Sequence, residues 1–128
     1  MGPIPAGAWV VVADGGRARM LQNVGEGRTL QLLQRELVEP QNLDDEGPSG
    51  SQPKEMDMDE ATFAKQLAHR INDAALRNEF AHLVLIADPQ TLGQMRPLLH
   101  KETVGRLLGE VAKTLTKSPL DEIERSLH

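Results

Sequence analysis

Trp9-Val10-Val11-Val12-Ala13 is an unbroken apolar run that stops at Asp14-Gly15-Gly16 and gives way to the alternating segment Arg17-Ala18-Arg19-Met20-Leu21. A valine run without polar alternation reads as a strand covered on both faces, so the rest of the chain must supply one layer above it and another below. His82-Leu83-Val84-Leu85-Ile86-Ala87 repeats the pattern and ends at Asp88-Pro89. Two doubly covered strands, separated by a long helical pattern, predict an α/β layered domain in which those strands run parallel.

The intervening elements follow from local chemistry. Asp14-Gly15-Gly16 predicts a tight hairpin with positive φ at the glycines. A second strand is expected over 17–24, with Ala18, Met20 and Gln22 on one face and Arg19, Leu21 and Asn23 on the other. Gly25-Glu26-Gly27 marks another turn, and a third strand is expected over 29–38. Phe63, Leu67, Ile71 and Ala74 recur at helical spacing and predict a helix over 59–78, capped at its start by Asp57 or Asp59. A short helix is expected over 91–99, with Pro97 an awkward member.

Residues 101–117 admit two readings. Val104, Leu107, Leu108, Val111 and Leu115 have helical spacing, but Gly105 and Gly109 would each weaken one continuous helix by about 1 kcal/mol. The other reading ends a helix 101–108 at Gly109 and makes 110–116 a strand. A last helix is expected over 119–127, with Ser118 as N-cap and Pro119 at its first position. That helix needs a sheet to cover, which favours the strand. The order is then three antiparallel strands followed by parallel strands on the other side, a ribonuclease H-like mixed sheet.

Composition narrows the function classes. The 128 residues suffice for a single domain with one core, and the three aromatics (Trp9, Phe63 and Phe80) make that core aliphatic. With no cysteine there are no disulfides, thiolate metal sites or thiol nucleophile. No apolar run approaches the ~18 residues of a membrane span, and residues 1–6 read as a loose leader without signal character. These features are those of a cytoplasmic protein without membrane insertion. Residues 36–60 hold nine acids against one base, a charge of −8 within a total of −5, which leaves +3 for the rest. The stretch 39–58, rich in Pro, Gly, Ser and acids, is expected to be a disordered loop.

Three segments carry a family resemblance. Trp9 to Arg19 is similar to the opening signature of the bacterial host attachment protein family. Leu83 to Pro89 followed by Leu92-Gly93-Gln94-Met95-Arg96 resembles its second, and Leu115-Thr116-Lys117 followed by Leu120-Asp121-Glu122-Ile123 its third. The family in turn resembles the middle domain of archaeal and eukaryotic peptide-chain release factors, a ribonuclease H-like unit that promotes peptidyl-tRNA hydrolysis with a Gly-Gly-Gln loop. The chain departs from these patterns at three places. Gly15-Gly16 is followed by Arg17, the 39–58 segment lacks the family's Arg/Gly/Phe/Asp-rich motif, and Thr114 stands where the family tends to have aspartate. The resemblance implies the fold and an association with ribosomes, tRNA or structured RNA.

Candidate site residues fall into two groups. Arg17, Arg19, Arg96, Lys101, Arg106, Lys113 and Lys117 are candidates for phosphate contacts, the favoured set being Arg17, Arg19, Arg96, Lys101, Lys113 and Lys117. Asp14 and Asp88 are expected at the carboxyl ends of adjacent parallel strands, where a metal-dependent phosphodiesterase would hold Mg²⁺, with Glu60 as a third carboxylate. On the simpler reading Asp14, Gly15 and Gly16 make a structural turn, Asp88 a loop and Glu60 a cap. The four histidines have no metal-ligand spacing, and no nucleophile elbow, Walker loop or dinucleotide fingerprint is present. The sequence implies no cofactor. It points to a non-enzymatic interaction module for ribosome or RNA, the alternatives being the phosphodiesterase and a protein-binding adaptor that uses the acidic loop.

Overall fold

In the computed structural model, residues 3–26, 28–40 and 59–127 are described; of the expected acidic loop, everything from residue 41 to 58 lies outside them. Strands β1 (Trp9–Ala13) and β4 (Leu83–Ala87) run side by side and parallel at the centre of a five-stranded sheet. Val10, Val11, Val12 and Ala13 are fully buried, as is every residue of β4, because both faces of the sheet are covered. Strand β2 (Ala18–Asn23) pairs antiparallel with β1, and β3 (Leu32–Val38) antiparallel with β2. Strand β5 (Leu107–Ala112) lies parallel to β4 at the opposite edge. The order β3-β2-β1-β4-β5, with its antiparallel trio and added parallel strands, is the predicted ribonuclease H-like arrangement.

Helix α1 (Glu60–Leu76) packs on one face through Phe63, Ala64, Leu67, Ala68, Ile71, Ala74 and Ala75. Its four buried alanines let the helix axis approach the sheet, and Asp59 caps it by accepting from the Thr62 N–H at 2.8 Å. Asn78, at φ 60°, takes the left-handed conformation just beyond its end, which asparagine adopts more readily than most residues. Leu92 and Met95 of α2 (Pro89–Met95) join the same cluster. The opposite face is closed by Ile123 of α4 (Leu120–Ser126), by Leu127 and by Ile4, against Val10, Val12, Leu21, Val84 and Ile86.

Several boundaries differ from those predicted. β2 covers 18–23 rather than 17–24, and β3 begins at Leu32 instead of 29. The buried Asn23 takes over the hairpin between them: its Oδ1 accepts from Gly25 N and Gln31 N, and its Nδ2 donates to Ile4 O and Pro5 O. A Cβ on Gly25 would lie 2.1 Å from the Thr29 carbonyl oxygen, so only glycine fits that turn. The same Asn23 contacts hold residues 4 and 5, part of the segment expected to be loose. Neither Gly15 nor Gly16 has positive φ; the Asp14 carboxylate, rather than glycine backbone freedom, shapes the first hairpin.

The predicted helix 91–99 begins two residues earlier, with Asp88 as N-cap and Pro89 at the first position, and ends at Met95. Pro97 has no N–H to continue the α-helical ladder, and Arg96–Leu98 tightens into a 3₁₀ turn. Helix α3 (Lys101–Arg106) stops two residues short of the predicted 108, so β5 occupies 107–112 in place of 110–116. Arg106 fixes that junction by donating to Phe80 O and Asn78 Oδ1, and Gly109 enters the sheet opposite Val84 beside a register shift. One continuous helix through 101–117 is thereby excluded. The final helix starts one residue late, at Leu120, with Pro119 rather than Ser118 as its cap.

Candidate nucleic-acid interface

The parallel strands end in register at Ala13, Ala87 and Ala112, so Asp14, Asp88 and Lys113 follow one another along the same sheet edge. The antiparallel strands add Arg17 at the entry of β2 and Glu39 at the exit of β3. Arg17 and Glu39 form an ion pair at 3.6 Å. Glu60 also folds over this edge: a Cβ on Gly15 would sit 2.6 Å from its Cγ and Cδ, so the carboxylate chain occupies the space that glycine leaves.

Both aspartates have structural partners. Asp14 Oδ1 accepts from Gly16 N at 2.8 Å and Arg17 N at 2.9 Å, while Oδ2 accepts from the Thr116 hydroxyl at 2.6 Å. Asp88 accepts from Thr91 N at 3.1 Å and Thr91 Oγ1 at 2.8 Å, capping α2. Among the described residues no three His, Asp or Glu side chains converge in a way that could hold a metal ion.

The six candidate cations do not form one face. Arg19 is turned onto the C-terminal segment, where it donates to Ser118 O at 2.6 Å, Thr116 O at 3.3 Å and Gln34 Oε1 at 2.7 Å. Burial lowers its guanidinium pKa from the usual value, and its charge is satisfied by those carbonyls. Arg96 pairs with Glu110 at 2.7 Å, two residues inside the end of β5. Lys101 is exposed at the start of α3; Lys113 and Lys117 are exposed near the sheet edge, on either side of the Thr116 anchor. The side chains of these three lysines make no hydrogen bond or ion pair within the described residues. The edge is therefore mixed, with Asp14, Glu39, Glu60 and Asp88 beside Arg17 and Lys113.

A second basic surface was not singled out in the sequence. The outer side of α1 carries Lys65, His69, Arg70 and Arg77, which with Leu98 line an open groove of about 850 Å³. Its signal is the complement of the buried stripe: the positions left over between Phe63, Leu67 and Ile71 hold Lys65, His69 and Arg70 at i, i+4 and i+5. Reading α1 for its apolar face alone passes over them.

A family model for the bacterial archaeo-eukaryotic release factor family 12 matches residues 7–127. The chain belongs to that family. Membership accounts for the release-factor half of the resemblance seen in the sequence; the name of this release-factor family contains nothing of host attachment. No curated protein sequence matches the chain significantly. As a release-factor family 12 domain, the chain has its family relationship spread over β1 to β5 and α1 to α4 of the described residues, since the match begins before β1 and ends after α4. No helix among the described residues is long and apolar enough to cross a membrane.

Proposed function

We propose that this protein is a non-enzymatic, translation-associated module that docks on the ribosome or on structured RNA. The family match over 7–127 carries the reading, because the family is named for proteins that work at the ribosome. The sequence lacks Gly-Gly-Gln, the only glycine pair being Gly15-Gly16 followed by Arg17. A release-factor fold without that loop keeps the shape of the domain and gives up its hydrolytic step. Outside the acidic 36–60 segment the chain carries +3, which suits a polyanionic partner.

The test is sedimentation of the protein with purified ribosomes. Co-migration at low salt, lost as salt rises, is expected from phosphate contacts, together with no release of peptide from peptidyl-tRNA. Absence from the ribosome fraction at every salt concentration would overturn the reading.

A further inference from the structure

The outer face of α1 stands apart from the sheet edge in one respect: its cations are not hemmed in by carboxylates belonging to a structural turn. Lys65 and His69 are exposed and make no hydrogen bond or ion pair within the described residues. Arg70 reaches Glu36 at 2.5 Å, and Arg77 pairs with Asp73 through a solvent-exposed contact of 3.2 Å. Exposed ion pairs of this kind are weak and exchange readily for another anion. The groove also holds an orphan polar group, Gln66 Oε1, which is buried without a partner among the described residues.

We infer that this groove is the surface by which the protein holds nucleic acid, and that its occupant is the sugar-phosphate backbone of base-paired RNA. The inference rests on the proposed translation-associated function and locates it. Lys65 and His69 of α1 and Arg77 at its C-cap are spread over 12 positions, about 18 Å at ~1.5 Å per residue, so they span several phosphates of one strand. Paired rather than unpaired RNA follows from the aromatic inventory. Phe63 and Phe80 are buried and Trp9 packs on Phe80 at 4.9 Å, so no Phe or Trp platform serves the groove, whose one ring is the small His69 imidazole. Backbone contact requires only charge and hydroxyl chemistry.

The experiment is fluorescence anisotropy of the 128-residue chain with a labelled RNA hairpin, a single strand of equal length as competitor, and ribosome sedimentation alongside. The variant is Lys65→Ala/His69→Ala/Arg77→Ala, whose side chains lie outside the core; Lys113→Ala/Lys117→Ala at the sheet edge is the control. The triple variant is expected to weaken hairpin binding by roughly tenfold or more, and to flatten the slope of log affinity against log salt by about two, while the edge variant changes little. Asp73→Asn is expected to tighten binding.

Ribosome and hairpin binding that survive in the triple variant but fail in the edge variant would overturn the groove and leave the proposed function standing. Preferential displacement by the single strand would overturn the paired-RNA occupant. No binding of the unaltered chain to hairpin or ribosome would overturn the functional reading itself, and this inference with it. Unchanged circular dichroism of the triple variant separates lost binding from lost folding.

Discussion

The Asp14 carboxylate ties the two halves of the first hairpin to the strand-to-helix connection at Thr116, adding to the β1–β2 ladder and to the Arg19 contacts with Thr116 O and Ser118 O. Asp14→Ala is expected to destabilise the fold by about 1–3 kcal/mol, since partly buried N–H and O–H groups lose their acceptor. Urea unfolding measures this. In a double-mutant cycle with Thr116→Val the two losses should be coupled by about 0.5–3 kcal/mol, and strict additivity would refute the link. The same bonds bear on the phosphodiesterase alternative. With donors already on Asp14 and Asp88, addition of Mg²⁺ should leave the amide NMR signals of Gly16, Arg17 and Thr91 in place. Shifts at all three would revive a metal role for the pair.

At the scale of elements, helix α1 depends on Asp59 for its first turn. The Thr62 backbone hydrogen bond holds the Asp59 carboxyl below its usual carboxylate range, with the Thr62 side chain adding to the effect. A pKa depressed by folding contributes stability that is present above the unfolded-state value and is lost as pH falls through the folded-state value. The protection factor of the Thr62 amide, its exchange rate relative to the unstructured chain at the same pH, should therefore fall in acid before the rest of α1 responds, and Asp59→Ala should remove that pH dependence. The elements themselves were legible in the sequence wherever one local signal dominated, as in the valine run of β1, the apolar run of β4 and the i, i+4 stripe of α1. Residues 101–117 were harder because helical spacing and strand character overlap there. Their outcome depends on Arg106 bonding Phe80 O, a contact over 26 residues that no local pattern encodes. The candidate site was less legible for the same reason. Arg19 reads as an exposed cation in a half-buried strand, and only the return of the chain at Thr116–Ser118 shows what it binds.

At the scale of the whole molecule, β3 and β5 are the outermost strands of the sheet among the described residues. Leu33 of β3 is an exposed hydrophobic side chain on an outer strand, an arrangement that favours strand pairing between copies. The register shifts between Met20 and Leu21, leaving Arg35 as the extra residue of a bulge beside them, its guanidinium on Gln22 Oε1. A bulge carrying a charge blunts the edge. Arg35→Val is expected to increase self-association, read by light scattering against the unaltered chain at equal concentration.

The bonds from Asp14 and Arg19 to residues 116 and 118 span 97 to 102 positions of sequence. Such distant closures are made late in folding, because the intervening chain must first be gathered. During synthesis the order is stricter still. β1, β2, α1 and β4 leave the ribosome with one face already covered by α1, while Val10, Val12, Val84 and Ile86 wait for Ile123 and Leu127. Until those residues emerge, a growing chain of this protein carries a bare aliphatic surface, and a transcript cut short before α4 yields a product that other hydrophobic chains or a chaperone will take up.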